Sequence, residues 1–190
     1  MKTVVFGGTY NPVHNGHLYI GEEIRKQLGY ERILFIPSNI PPHKEIDRMT
    51  DVLHRVHMLE YALEKSPFTL DKCEIDRGGI SYTLDTVDFI RSKYRITDKI
   101  GLVIGDDLVQ GFKKWHRWEE LAEKVNLIIV HRNLRKKLTF DLPHHYLENL
   151  VIPVSSREIR KRIKNGMAYR YLVPEKVYDY IEENKLYTDK

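Results

Sequence analysis

Gly8-Thr9-Tyr10-Asn11-Pro12-Val13-His14-Asn15-Gly16-His17 is the stretch on which the reading of this chain turns. It follows the apolar run Thr3–Phe6, which predicts a buried strand. It precedes Leu18, Ile20, Ile24 and Leu28, whose spacing predicts a helix over Gly16–Leu28 closed by Gly29. A small-residue turn between strand and helix brings backbone N–H groups to a helix N-terminus, where an anion is stabilised. His14 and His17 stand three residues apart and share one face of the first turn. The pattern suits phosphate oxygens. The plainer reading is an ordinary strand-to-helix turn whose histidines only cap the helix.

Working outward, strands and helices alternate. Arg32–Ile36 predicts a second strand, stopped by Pro37, and 38–49 reads as a long loop with Pro41 and Pro42. Thr50 is placed to cap a helix with the stripe Val52, Val56, Leu59 and Leu63. Phe68–Ile75 reads as a strand and Gly78-Gly79 as a turn. Ser81 is placed to cap a helix carrying Leu84, Val87, Phe89 and Ile90. Ile100–Ile104 predicts a strand, Trp118–Val125 a helix, and Leu127–Val130 a strand. The segment 132–146 reads as variable surface, followed by a last short strand, Val151–Val154. Helices are expected over Ser156–Asn165 and Pro174–Glu183. Buried strands alternating with amphipathic helices predict an α/β fold: a doubly wound, Rossmann-like parallel sheet covered on both faces. The expectation is one domain over 1–190, with a C-terminal helical part from about 155 packed on it. Ligands of such sheets bind at the carboxyl ends of the strands.

Composition bounds the function. The chain has 190 residues, 42% hydrophobic and 31% charged, as in ordinary globular proteins. No apolar stretch approaches the roughly 20 residues that span a bilayer, so no membrane partner is expected. The single cysteine, Cys73, has no internal partner for a disulfide, which points to a reducing cytoplasm. A net charge of +4 suits a polyanionic ligand. Aromatic residues do not interleave with the basic ones as on a single-strand platform, so no nucleic-acid partner is expected. Oligomeric state cannot be read from the sequence.

Neither a dinucleotide fingerprint nor a P-loop fits the first turn. His14-Asn15-Gly16-His17 instead resembles the His-x-Gly-His signature of the nucleotidyltransferase superfamily. Pro41-Pro42-His43-Lys44, Ser81-Tyr82-Thr83-Leu84-Asp85-Thr86, Ile104-Gly105-Asp106-Asp107 with Lys114-Trp115-His116, and Val154-Ser155-Ser156-Arg157-Glu158-Ile159-Arg160 together resemble the motifs of nicotinate-nucleotide adenylyltransferases.

The resemblance implies transfer of AMP from ATP to nicotinate mononucleotide, giving deamido-NAD and pyrophosphate by direct in-line attack, with Mg²⁺ accompanying ATP. It implies His14, His17 and Lys44 as catalytic groups. ATP would be bound by Gly7, Gly8, Thr9, His14, Gly16, His17, Lys44, Asp107, Ser155, Ser156 and Arg160. The acceptor would be bound by Tyr82, Thr83, Trp115 and His116, with the Trp115 indole on the pyridine ring. The Thr83 and His116 N–H groups would then take its carboxylate. His116 stands where the family commonly has tyrosine, and Arg157 where it has threonine. No metal-ligating residue is implied. From the residues alone, Trp115 and Trp118 read equally well as core, and three apart they can share one helix face. Two other readings stay open: an adenylyltransferase of the same fold acting on nicotinamide mononucleotide or phosphopantetheine, and a non-catalytic nucleotide- or RNA-binding module. His54 with His57, and His144 with His145, lack the partners of a metal site, and Cys73 lacks a general base.

Overall fold

A computed structural model describes residues 1–42, 50–132 and 139–188. Alternation along the central strands sorts their side chains onto two faces. In β1 (Thr3–Gly8), Val4 and Phe6 face one layer and Val5 the other. In β2 (Arg32–Pro37), Ile33 and Phe35 separate in the same way from Leu34 and Ile36. β4 (Ile100–Gly105) and β5 (Val125–Val130) repeat the pattern.

The first layer is closed by α1 (Asn15–Leu28), α2 (Val52–Leu63), α6 (Ser156–Lys164) and α7 (Glu175–Glu183), through residues such as Ile24, Met58, Ile159 and Val177. The second is closed by α4 (Thr83–Lys93), α5 (Trp118–Lys124) and a 3₁₀ segment, Asp106–Lys114, through Leu84, Val87, Leu121 and Phe112. Among the described residues no helix is long and apolar enough to cross a membrane.

With β3 (Thr69–Leu70) and β6 (His144–Leu147), the six strands run in the order β3-β2-β1-β4-β5-β6, and every neighbouring pair is parallel. The expected doubly wound sheet is therefore present. The chain moves from β1 outward through β2 and β3, then returns to the other side of β1 for β4. That reversal opens a crevice at the carboxyl ends of β1 and β4. Register aligns those ends, since Val4 pairs with Gly101 and Val5 with Leu102 across β1 and β4.

Several expectations are corrected. The strand over Phe68–Ile75 is only β3 (Thr69–Leu70), followed by a short helix, α3 (Cys73–Arg77). Asp71 turns the chain there, its Oδ1 accepting the Cys73 N–H at 3.1 Å while Lys93 and Tyr94 bind Oδ2. Val151–Val154 is not a strand, since Pro153 has no N–H to give to a ladder. The last strand, β6 (His144–Leu147), begins within the segment expected to be variable surface and pairs with β5.

Asp51, not Thr50, caps α2 through a 2.7 Å bond from the Leu53 N–H. Tyr82, not Ser81, occupies the N-cap of α4, because the Ser81 hydroxyl is engaged by Asn39. Phe89 is 45% exposed rather than core, with the Lys93 ammonium over its ring. Trp115 closes the 3₁₀ segment and Trp118 opens α5, with the left-handed Arg117 between them, so they do not share a helix face. Gly29 ends α1 with φ 65°, as expected.

Candidate active site

The turn from β1 to α1 is built to leave backbone open and bury imidazole. Gly7 is exposed, and a side chain there would meet nothing within 4 Å. Tyr10 folds back with φ 50°, and its hydroxyl donates to the Phe6 carbonyl. Its ring lies so close to Gly8 that a Cβ there would come within 3.0 Å.

His14 is the N-cap of α1 and only 4% exposed. Both of its ring nitrogens are buried without a hydrogen-bond partner. Burial first, and the charge of Arg132 second, push its pKa down to about 3. An orphaned buried polar group costs about 1–3 kcal/mol, a cost that calls for a reason such as a catalytic or binding role.

His17 stacks on His14 with ring centroids 3.7 Å apart and planes 26° from parallel. Its Nδ1 accepts the His14 backbone N–H at 3.2 Å, so in the neutral ring the proton sits on Nε2. Gly16 is explained by this stack rather than by approach of a ligand to its backbone. A Cβ there would lie 3.1 Å from His14 Nδ1 and 2.8 Å from Val154.

Cations and hydroxyls brace the turn from behind. Arg55, with no exposed surface, donates from Nη1 to the Thr9 carbonyl at 2.8 Å and from Nη2 to the Asn39 carbonyl at 3.4 Å. It thereby joins the ends of β1 and β2. Arg160 donates from Nη1 to the Asn11 carbonyl at 2.6 Å, and Ser156 Oγ to the Pro12 carbonyl at 2.8 Å. Ser155 caps α6, its Oγ accepting the Glu158 N–H. Burial lowers the pKa of Arg55 and of Arg160. Among the described residues neither guanidinium has a carboxylate in ion-pair range, so positive charge is concentrated behind the turn.

Across the crevice, Asp107 and Arg132 form an ion pair at 3.1 Å over the end of β4. Gly105 lets them lie there, since a Cβ would come within 2.5 Å of each. Behind them Asp106 is buried, 3.8 Å from His131 Nδ1.

On the expected acceptor side, Tyr82 and His116 face each other with centroids 4.3 Å apart. Trp115 is half-buried, its ring 5.1 Å from that of Phe112. Tyr82 caps α4 and Thr83 begins it. His43 and Lys44 lie outside the described residues.

The structure thus brings His14, His17, Gly7, Gly8, Thr9, Gly16, Ser156 and Arg160 together around one turn, with the Arg132–Asp107 pair beside it. Sequence reasoning missed Arg55, Arg132 and Tyr187. Arg55 had a signal: a cation three residues after Val52 and four before Leu59, on the stripe that helix buries. Arg132 also had one, following β5 at the strand edge where ligands bind. Tyr187, whose hydroxyl bonds Asn11 Oδ1 at 2.8 Å, had none.

Comparison with known proteins decides the family. The Cytidylyltransferase-like family model matches residues 5–162. A probable nicotinate-nucleotide adenylyltransferase of Borreliella burgdorferi is 43% identical, covering 100% of this chain and 98% of its own. The nicotinate-nucleotide adenylyltransferase of Bacillus subtilis is 40% identical over 98% of both chains. This chain belongs to the nicotinate-nucleotide adenylyltransferase family. A Plasmodium falciparum nicotinic acid mononucleotide adenylyltransferase, solved in complex with NaAD, has a similar fold at TM-score 0.78 and 18% identity, over 98% of both chains.

Within the family's frame, the donor set suits oxygen anions. Among the described residues no three His, Cys, Asp or Glu side chains converge as a cation site. A divalent ion fits here as cargo of a triphosphate, held by phosphate oxygens and water.

Proposed function

We propose that this chain transfers the adenylyl group of ATP to nicotinate mononucleotide, releasing pyrophosphate and forming deamido-NAD. The acceptor's 5′-phosphate oxygen attacks the α-phosphorus in line. The bond from that phosphorus to the bridging oxygen of the β-phosphate breaks, and its electron pair leaves with pyrophosphate. No side chain is adenylylated on the way. The protein positions the partners and stabilises charge that builds on the α-phosphate oxygens.

His14 and His17 hold those oxygens, His17 with the Nε2 proton that its tautomer dictates. Gly7, Gly8 and Thr9 admit the nucleotide to the backbone, while Gly16 leaves room for the His14–His17 stack that meets it. Ser155, Ser156 and Arg160 support the polyphosphate at the α6 N-terminus, and Lys44 meets the leaving pyrophosphate. Asp107 takes the nucleotide ribose. Tyr82, Thr83, Trp115 and His116 receive the acceptor. Mg²⁺, when bound with ATP, neutralises the triphosphate. The whole of 1–190 acts as one nucleotidyltransferase unit, and the single buried thiol of Cys73 fits a cytoplasmic setting.

One observation carries the reading: buried His14 stacked on half-buried His17 at the end of β1, beside the sheet's switch point. The test is pyrophosphate release from MgATP with a panel of acceptors. Release with nicotinate mononucleotide, and little with nicotinamide mononucleotide or phosphopantetheine, is expected. Release with none of them, together with RNA affinity that falls steeply with salt, would replace the enzyme with a binding module.

A further inference from the structure

Glu74 takes no part in the reaction above, yet it lies under the acceptor motif. It belongs to α3, is 6% exposed, and accepts the Thr86 hydroxyl hydrogen at 2.6 Å. The Ser81 hydroxyl is hydrogen-bonded to the same carboxyl. Ser81 Oγ also accepts the Asn39 N–H at 2.9 Å, while the Ser81 N–H donates to the Ile40 carbonyl at 2.9 Å. One carboxyl therefore grips both ends of the segment 81–86 and, through Ser81, the loop after β2. Thr83 sits between the two grips, in the first turn of α4. Burial raises the Glu74 pKa, against the two hydroxyl donors and the nearby Arg77 charge. A group so costly to bury is out of place in a layer that an aliphatic residue would fill.

We propose that Glu74 is a positioning residue for acceptor recognition: by holding Ser81 and Thr86 it aims the Thr83 N–H that takes the pyridine carboxylate. This rests on the reading of 81–86 as the acceptor site. A misplacement of about 1 Å costs up to 10²-fold in such sites, and here the loss falls on one substrate. An acid ring needs that N–H as donor, whereas an amide ring gains less from it, so the acid preference falls as the aim is lost.

The test is steady-state kinetics of the full chain with nicotinate and nicotinamide mononucleotides at varied MgATP. Glu74→Ala and Thr86→Val are expected to raise KM for the acid about tenfold, with KM for ATP within about twofold, and to shrink the acid-to-amide ratio of kcat/KM by a similar factor. Glu74→Gln and Thr86→Ser, which keep hydrogen-bonding groups in place, should stay within about threefold of the parent.

Equal effects on both substrates, or an unmoved acid-to-amide ratio, would overturn the role. Melting curves identify any variant that fails to fold. Should Glu74→Ala fail, the Thr86→Ser and Thr86→Val pair decides by the same criteria. A parent enzyme that does not use nicotinate mononucleotide sinks the functional reading itself. A parent that uses it, with variants unchanged in acceptor KM, sinks only Glu74.

Discussion

Tyr187 hands its hydroxyl hydrogen to Asn11 Oδ1 at 2.8 Å, across 176 residues of sequence. Asn11 is 4% exposed, and its carbonyl is simultaneously held by Arg160. The C-terminal segment and α6 therefore grip the same residue of the β1–α1 turn, one by its side chain and one by its backbone. The turn that carries His14 is not self-supporting; its shape is imposed from 149 and 176 residues away.

Tyr187→Phe tests that grip, because it removes the hydroxyl that bonds Asn11, and with it the contacts to Thr50 and Met58 Sδ, and keeps the ring. A stability loss of about 1 kcal/mol is expected, read as a drop of roughly 2–4 °C in Tm for a chain of this size. Turnover should fall several-fold beyond what that loss explains, since the folded fraction at 25 °C stays near one. Turnover equal to the parent would make the contact purely structural.

His14 gives a pH signature. Its pKa is about 3 in the folded chain, against an ordinary 6.5. Between these values the unfolded chain binds the extra proton, so stability is fully present above about pH 6.5 and is lost as pH falls toward 3. The contribution lost between pH 7 and pH 5 is on the order of 2 kcal/mol. Urea unfolding of the parent and of His14→Asn at both pH values checks this. The variant should show a flatter acid limb, and identical limbs would mean that the ring titrates normally.

Arg132 and Asp107 are both more than a third exposed, so their ion pair contributes little to folding, on the order of 0–1 kcal/mol. Arg132 nevertheless bears on His14 as its second source of pKa depression. Arg132→Ala should therefore leave Tm within about 2 °C. It should raise the His14 pKa, measured by imidazole NMR titration, and raise KM for ATP. An unmoved His14 titration would show that the guanidinium does not reach the histidine pair in solution.

The sheet was legible because its strands are short apolar runs between helices with a 3.6-residue stripe, and that periodicity is a local property of the chain. What escaped was non-local. Phe68–Ile75 alternates like a strand, but the chain turns at Asp71 because Lys93 and Tyr94 hold its carboxylate from α4 and just beyond. β6 escaped for the opposite reason: His144 and His145 are exposed, and the strand exists by pairing with β5. At the site, the His14-Asn15-Gly16-His17 signature was readable as chemistry. Arg55 and Tyr187 were not picked out, because a buried cation and a C-terminal phenol acquire meaning only from the turn they touch.

Gly16→Ala sets two local effects against each other. Alanine in a helix is favoured over glycine by about 1 kcal/mol, so propensity alone predicts a more stable α1. The added Cβ, however, would sit 2.8 Å from Val154 Cγ1 and 3.1 Å from His14 Nδ1. Val154 borders the Ser155 cap and is only partly buried, so it can yield. His14 is stacked on His17 at 3.7 Å and cannot shift without breaking that pairing. The expected outcome is a Tm within a few degrees of the parent and kcat lowered by on the order of 10²-fold, the loss typical of one misplaced oxyanion donor. Thermal melts and pyrophosphate-release kinetics on the same preparation measure both. Parent-like turnover would mean that the histidine stack tolerates displacement, and with it that the stack is not what holds the reacting phosphate.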